Sequence, residues 1–406
     1  MIKDDFLSGI FYSVPNLRYY HSDKLSKVKL GNICSITGGY AFDSRKMKSK
    51  GEYQIIKMGN LYNGVLDLTR NPSFIDNPTK KELEYLIHKN DILITLTGTV
   101  NKKDYGYTVQ LNNPNNLLLN QRCALIKPLN INEKYLFYLL NSNNFFKQFY
   151  ASSTGGTGNQ TNVSINDMLN FNMYIANEKN QIIISEFLNK IDQRIETQIK
   201  IISSIESQIK SINNHVAFDS ATNELSIGNL FDIKTNSKIL EKHDGKYCIV
   251  DMGTIDSNGN YITGKYTDDI TSILTKGTLV MPKDDIGGGK IICKTLYINE
   301  SNKYVLSDHV FALKLRNSKY NPLYFSSLIN SQYHNHNLKR LVTGSAQLGI
   351  NQENLNKYKL RFSDCLELQK KYSKLIQLII TKLFIEKKLL YDLYNQKNYL
   401  MKNMFI

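Results

Sequence analysis

Apolar residues recur along this chain in three rhythms, each predicting a different element. From Ile184 they fall at Leu188, Ile191, Ile195, then Gln198, then Ile202, Ile205, Ile209 and Ile212. Alternating steps of four and three over four heptads, with one polar interruption, mark a coiled-coil seam. The helix this predicts, from about Glu178 to Asn214, would span on the order of 55 Å at ~1.5 Å per residue, longer than a small domain is wide. A second run, Ile376, Ile380, Leu383, Lys387, Leu390, Tyr394, Lys397, Met401 and Met404, keeps the spacing but admits two lysines. A single run of this kind is equally compatible with a helix lying on its own domain. Two runs in matching places indicate helices that pair.

Between the runs, short apolar β-branched segments predict strands at Tyr53 to Met58, Asp91 to Leu96, Gln121 to Lys127, Tyr247 to Met252, Thr278 to Met281 and His309 to Leu315. Longer periodic stretches predict helices from Asn132 to Tyr150 and from Pro322 to Leu341, the latter with proline at a favourable first position. Each half therefore reads as an α+β domain closed by one long helix.

The halves are copies. Gly51-Glu-Tyr-Gln-Ile-Ile-Lys-Met-Gly59 returns as Gly245-Lys-Tyr-Cys-Ile-Val-Asp-Met-Gly253, an offset of 194. Leu30 to Ile36 matches Ile227 to Ile233, Leu119 to Ile126 parallels Leu306 to Leu313, and Tyr135 to Ser142 resembles Tyr324 to Ser331, in the same order. A period near 190 is far beyond the ~20 to 50 residues of solenoid repeats, so two whole domains stand in tandem. The drifting offset is what loop-length changes would leave. Boundaries follow: an N-terminal arm at 1–22, a first domain at 23–177, its helix at 178–216, a second domain at 217–362 and a final helix at 363–406.

Composition narrows the partner. Lys and Arg number 51 against 36 acidic residues, a formal charge of +15 that calls for a polyanion, either nucleic acid or an anionic membrane. No stretch approaches eighteen uninterrupted apolar residues, and the start, Met1-Ile-Lys-Asp-Asp-Phe, lacks an apolar signal core, so a cytoplasmic location is expected. Five scattered cysteines, Cys34, Cys123, Cys248, Cys293 and Cys365, fit neither a disulfide framework nor a zinc knuckle.

The chemistry of a nucleic-acid enzyme is missing from the motifs. Asn71-Pro-Ser-Phe74 and Asn321-Pro-Leu-Tyr324 lack the second proline of a base-flipping amino-methyltransferase and any glycine-rich turn for its methyl donor. Asp284-Asp-Ile-Gly-Gly-Gly-Lys-Ile291 follows a strand but places Asp284 and Ile291 where a phosphate loop needs glycine and a hydroxyl. The one Glu-x-Lys, Glu386-Lys-Lys388, sits inside the second heptad run, and His334-x-His336 puts its rings on different helix faces. No catalytic residue and no metal ligand is assigned to this chain.

Tandem domains closed by heptad helices on a basic chain resemble the DNA-specificity (S) subunits of type I restriction-modification enzymes. The resemblance spans essentially the whole chain. Its specific pieces are Val14-Pro-Asn-Leu-Arg-Tyr19 leading to Val28-Lys-Leu-Gly-Asn-Ile33, although the family tryptophan is absent, and Thr154-Gly-Gly-Thr-Gly-Asn-Gln160 running into Val163 to Leu169. The counterpart Thr343-Gly-Ser-Ala-Gln347 to Leu355, and the helix start Gln181-Ile-Ile-Ile-Ser-Glu-Phe-Leu-Asn-Lys-Ile-Asp192, complete it; the distal helix keeps only the glutamine, Gln369.

The resemblance implies two target-recognition domains related by a pseudo-twofold axis, separated by two long helices pairing as an antiparallel coiled coil through the seam residues above. It implies a bipartite, asymmetric duplex target, adenine methylation and restriction by partner subunits, and contacts with methyltransferase subunits, two in number, and restriction/motor subunits. S-adenosylmethionine, ATP and Mg2+ would belong to those partners, and no cofactor to this chain. A self-contained DNA-modifying or cleaving enzyme and a coiled-coil nucleic-acid-binding scaffold remain as alternatives.

Side-chain type selects the DNA candidates, since phosphates take cationic and small polar donors while base edges take paired hydrogen bonds. In the first domain these are Ser44, Arg45, Lys46, Lys48, Lys50, Thr97, Thr99, Asn101, Lys102, Lys103, Tyr105, Thr157, Asn159 and Gln160. In the second they are Lys234, Asn236, Lys238, Lys283, Asp284, Lys290, Lys294, Lys339, Arg340, Thr343, Ser345 and Gln347. Gly155-Gly-Thr-Gly158 is either an anion nest or a plain loop.

Overall fold

The computed structural model describes residues 25–62, 64–111, 114–155, 159–218, 222–262, 264–345 and 347–405. The expected arm at 1–22, the segment Val14–Tyr19 and Thr157 lie outside these. The chain divides into two compact units: unit 1 runs to Thr197 and resumes at Leu390, and unit 2 is Gln198–Leu389.

Unit 1 is built on a four-stranded antiparallel sheet in the order Cys34–Gly38, Cys123–Pro128, Ile92–Thr95, Thr108–Gln110. A second sheet sets Tyr53–Ile56 between a parallel neighbour, Leu117–Leu119, and an antiparallel one, Phe74–Ile75. The expected strands are present with their ends moved by one or two residues, two of them trimmed and the third shifted to Cys123–Pro128. The helix expected over Asn132 to Tyr150 is instead two, α1 (Glu133–Leu139) and α2 (Asn143–Ala151). The break lies at Asn141-Ser142, where the Ser142 side chain accepts from the Phe145 amide and starts a new helix. The long helix α3 follows at Glu178–Phe218, and Asn177 accepts the Asn180 amide at its start.

Unit 2 repeats this plan. Its four-stranded sheet runs Phe231–Lys234, Val310–Leu315, Leu279–Pro282, Leu296–Tyr297, and Tyr247–Val250 again lies between a parallel strand, Tyr304–Leu306, and an antiparallel one, Tyr266–Thr267. The helix expected from Pro322 to Leu341 also splits, into α4 (Pro322–Asn330) and α5 (Gln332–Lys339), with Ser331 capping the second. The last helix, α6, is Leu366–Met404.

Each domain is bonded to its long helix by the same glutamine. In unit 1 the Gln181 carboxamide accepts the Asn132 amide at 3.0 Å and donates to the Ala176 carbonyl at 2.8 Å. In unit 2 Gln369 accepts the Asn321 amide at 3.0 Å and donates to the Ser363 carbonyl at 2.8 Å. Asn132 and Asn321 are themselves the caps of α1 and α4. Beside each glutamine a buried tyrosine, Tyr135 or Tyr324, accepts a backbone amide, from Ala176 or Ser363. The repeat in the sequence is thus a repeat in hydrogen bonds.

The apolar cores extend onto the long helices. In unit 1, Phe145, Phe149 and Leu136 share a core with Ile184, Leu188, Ile191 and Ile195 of α3 and with Leu393, Leu400 and Met404 of α6. In unit 2, Phe231, Phe325 and Phe362 share one with Val216 and Ile376, against which Ile212 and Ile380 pack. The α3 seam follows its heptads, with Ile202 and Ile205 buried and Ile209 half-buried. The α6 seam corrects the sequence reading: Tyr394 is 44 % exposed, Leu393 is buried, and Leu400 is buried more deeply than Met401. The seam steps Ile380, Leu383, Glu386, two successive threes that move it by one position, a stammer in coiled-coil terms. Its polar partner explains the step. Gln198, the interruption in the α3 seam, donates to the Glu386 carboxylate and to its carbonyl (3.1 Å), while Lys387 turns out to Glu206 (2.9 Å). In unit 1 Lys397 meets Asp192 at 2.6 Å, so both seam lysines have carboxylate partners.

His334 is a core residue, its Nδ1 2.9 Å from the Tyr358 hydroxyl, and burial pushes its pKa down to about 4. It therefore stays neutral inside unit 2. Among the described residues no helix is long and apolar enough to cross a membrane.

The glutamine clamps carry a testable cost. Gln369→Leu leaves a buried N–H and a buried C=O unmatched, and the expected loss is about 2 kcal/mol in urea unfolding; Gln181→Leu should lose a similar amount from unit 1. Losses below about 0.5 kcal/mol in both would show that water replaces the clamp.

Candidate nucleic-acid interface

The polar candidates of unit 1 gather at two places. The first is the turn Ser44–Lys46, opened by Asp43, whose carboxylate accepts the Arg45 amide and closes on the Arg45 guanidinium at 2.8 Å. That side-chain bond to Arg45 holds the Asp43 carboxyl below its usual range. Lys48 is likewise paired, with Asp76 at 2.9 Å, whereas Ser44, Lys46 and Lys50 are exposed. Of the four cations placed here by sequence, two are therefore already matched by carboxylates.

The second place is a small antiparallel sheet, Thr154–Gly155, Gln160–Asn162 and Thr97–Thr99, which brings Thr97, Thr99 and Gln160 together. Asn159 joins through its carbonyl, which accepts the Val100 amide at 3.2 Å. Beyond Thr99 the chain turns at Asn101, in the left-handed region at φ 62°, and presents Asn101, Lys102 and Lys103 to solvent. The Lys103 ammonium lies 5.4 Å from the centre of the Tyr150 ring. The turn is fixed from inside by Asp104, which accepts the Thr99 amide (2.9 Å) and hydroxyl (2.7 Å). Partial burial opposes the charge on Asp104, but the bonds from Thr99 outweigh it and lower its pKa.

Two candidates here are not surface groups. Tyr105 is 2 % exposed in the unit 1 core, with its hydroxyl bonded to Ser153 at 2.7 Å. Its ring lies where a side chain on Gly98 would be, so the glycine is what lets it in. Thr97 is 8 % exposed and donates to Asn162. Of the Gly155–Gly158 stretch, only Gly155 is among the described residues, in a strand.

Unit 2 has its own cluster at the corresponding place. Asp284–Asp285 pairs antiparallel with Leu348–Gly349, and Thr343 and Gly349 exchange backbone bonds of 2.9 and 2.8 Å. This positions Lys283 and Asp284 beside exposed Thr343, Ser345 and Gln347, with the turn closed at Gly344, φ 103°. Arg340 is exposed too. The Asp284 carboxylate lies 2.7 Å from Nδ1 of His309, whose Nε2 is 3.3 Å from Asp308. Lys234 and Lys238 are exposed, while Asn236 donates inward to the Leu306 carbonyl at 2.8 Å.

The glycine loop is closed from within. Buried Asp285 accepts the amides of Gly287, Ile291 (2.8 Å) and Ile292 (3.2 Å), the donors a phosphate loop would offer its ligand. Lys290 projects from this loop, and Lys339 donates to the Gly289 carbonyl at 2.6 Å. Lys294 is set deeper, donating to the Asn330 carbonyl at 3.3 Å. Burial first, then the charges of Lys339 and Lys210, push its pKa down to about 8. Sequence reasoning passed over Asp104, Asp285 and His309. Asp285 left a local sign, the Asp-x-Gly spacing of a turn in which the carboxylate caps the amide two residues on; Asp104-Tyr105-Gly106 has the same spacing, but there the Gly106 amide bonds to Thr95 and the carboxylate to Thr99.

The family model described as the type I restriction modification DNA specificity domain matches twice, over residues 23–207 and 221–393. The fold is similar to a type I restriction-modification S subunit from M. genitalium, at TM-score 0.61 and 16% identity, covering 94% of this chain and 96% of that one. It is also similar to a chain from a study of complex assembly and conformational transition of the type I R-M system, at TM-score 0.52 and 11% identity, covering 94% and 98%. No curated protein matches the chain by sequence.

Lys294 gives this interface a pH signature. Its folded pKa of about 8 lies below the ordinary 10.5, so between these values the unfolded chain holds a proton that the folded one lacks, and stability rises with pH across that window. Lys294→Met should therefore stabilise the protein by about 2 kcal/mol at pH 7, and the gain should fade as pH approaches 10.5. A gain that does not change with pH, measured by urea unfolding at pH 7, 9 and 10.5, would contradict this origin.

Proposed function

The chain belongs to the type I restriction-modification DNA specificity family, and from that premise we propose that it reads an asymmetric, bipartite duplex target on behalf of partner subunits. The observation that carries this reading is one scaffold present twice with different polar loops. The glutamine clamp, the paired serine caps and the sheet orders recur in both units, while the outer residues do not: Thr99, Asn101 and Lys102 in one, Asp284, Lys290 and Gln347 in the other. Base edges are distinguished by the donors and acceptors offered to them, so two unlike sets call for two unlike half-sites. Cations such as Lys46, Lys50, Lys102 and Lys238 would position the backbone without reading sequence.

Catalysis is assigned elsewhere. Methyltransferase subunits would supply S-adenosylmethionine and methylate adenine, and restriction/motor subunits would supply ATP and Mg2+. The long helices offer them a surface: Leu378, Phe384 and Ile385 on the unit 2 part of α6, and Tyr391 and Tyr399 on its unit 1 part, are all more than half exposed. Large apolar side chains gathered in this way on a soluble protein mark docking surfaces.

The test is genome-wide mapping of methylated adenine in a host expressing this chain with its methyltransferase subunits. One bipartite motif is expected, and Ser345→Ala with Gln347→Ala should relax one half of it and leave the other intact, each lost base contact being worth about 1–3 kcal/mol. Methylation without a motif, or both halves changing together, would reject the reading.

A further inference from the structure

Unit 2 contains a cleft of about 680 Å³ into which four lysines converge: Lys210 from α3, Lys290 and Lys294 from the glycine loop and its continuation, and Lys339 from the end of α5. The one carboxylate in its lining, Glu206, is bound to Lys387 at 2.9 Å. Among the described residues no carboxylate lies within ion-pairing distance of any of the four. Lys294 and Lys339 meet only backbone carbonyls, at 3.3 and 2.6 Å. Asn213, in the same lining and 8 % exposed, has a carboxamide oxygen without a partner among the described residues. A carboxamide turned over at that point offers N–H donors to an acceptor.

Cations placed together without counter-charge repel one another, and at Lys294 the charges of Lys339 and Lys210 add to the burial that lowers its pKa. An anion with several oxygens would relieve it, and compact ammonium groups suit phosphate. The lysine at the end of α5 is not a property of the shared scaffold. At the offset of 189 that aligns Tyr135 with Tyr324, Lys339 corresponds to Tyr150, whose hydroxyl is bonded to the Tyr105 carbonyl at 2.9 Å.

We propose that this cleft is a phosphate-binding site, with Lys210, Lys294 and Lys339 holding one phosphate group and Lys290 at its mouth. The group comes from a duplex backbone or from a free nucleotide, and only the first source rests on the DNA-reading role proposed above. Full-length protein is titrated by calorimetry with adenosine monophosphate and with inorganic phosphate, and with non-specific duplex DNA across a salt series. Lys294→Met and Lys210→Met are compared with Lys319→Met, an exposed charge control outside the cleft.

If the source is the duplex, each cleft variant lowers the slope of log affinity against log salt by about 0.9, the value of one phosphate contact, and adenosine monophosphate displaces the duplex. If it is a nucleotide, adenosine monophosphate binds the parent, binds both cleft variants at least tenfold more weakly, and the duplex slope is unchanged. Either result supports the site. It is overturned if both cleft variants match Lys319→Met in every titration. Loss of the bipartite motif in methylation mapping would reject the specificity reading and leave this result untouched.

Discussion

In each unit the domain is fixed to its long helix by a bond between one glutamine and one helix cap. Gln181 and Gln369 each satisfy an amide at the start of a domain helix and a carbonyl just before their own long helix, so domain and helix cannot shift without leaving buried polar groups unmatched. Apolar packing alone would allow sliding, because leucine and isoleucine faces are non-directional. The carboxamide supplies direction, and it recurs in both copies while most surrounding residues have changed.

A similar economy governs the long helices. The α3 seam keeps strict heptads through Ile212 and admits one polar residue, Gln198, which has a specific partner in Glu386. A buried amide in an apolar seam costs stability unless it is paired, and the pairing selects one register. The polar loops obey the opposite rule. Asp43, Asp104 and Asp285 turn inward onto amides and hydroxyls, shaping the turns that carry the exposed lysines and amides. The carboxylates build the loops; of the cations on the first two, Arg45 is matched by Asp43, while Lys46, Lys102 and Lys103 face solvent.

Much of this was legible in order along the chain. The repeat, the strands of both four-stranded sheets, both long helices and the seam of the first were all readable, because periodicity reports which side chains share a face. The breaks at Ser142 and Ser331 were missed, since the apolar pattern continues through them and only a capping side chain interrupts the backbone bonds. Tyr394 was misplaced because a step of three and a step of four differ by one residue, and the choice was made by Gln198, nearly two hundred positions away in sequence. The candidate interface was legible by residue type and not by exposure: Tyr105 carries a chemically suitable group but fills the core against Gly98.

The sequence by itself determined that there are two domains of one ancestry, that long helices close them, and that the excess of positive charge seeks a polyanion. These are local or summed properties, carried by spacing and count. Only the tertiary structure decided which charges are already spent, as in Arg45 on Asp43 and Lys48 on Asp76, and which remain unmatched, as in the Lys294 cleft. The reason is the range of the forces involved. Burial and hydrogen bonding act over a few ångströms between residues far apart in sequence, so the same lysine is a solvated surface charge, a paired one or a repelled one according to what the fold sets beside it.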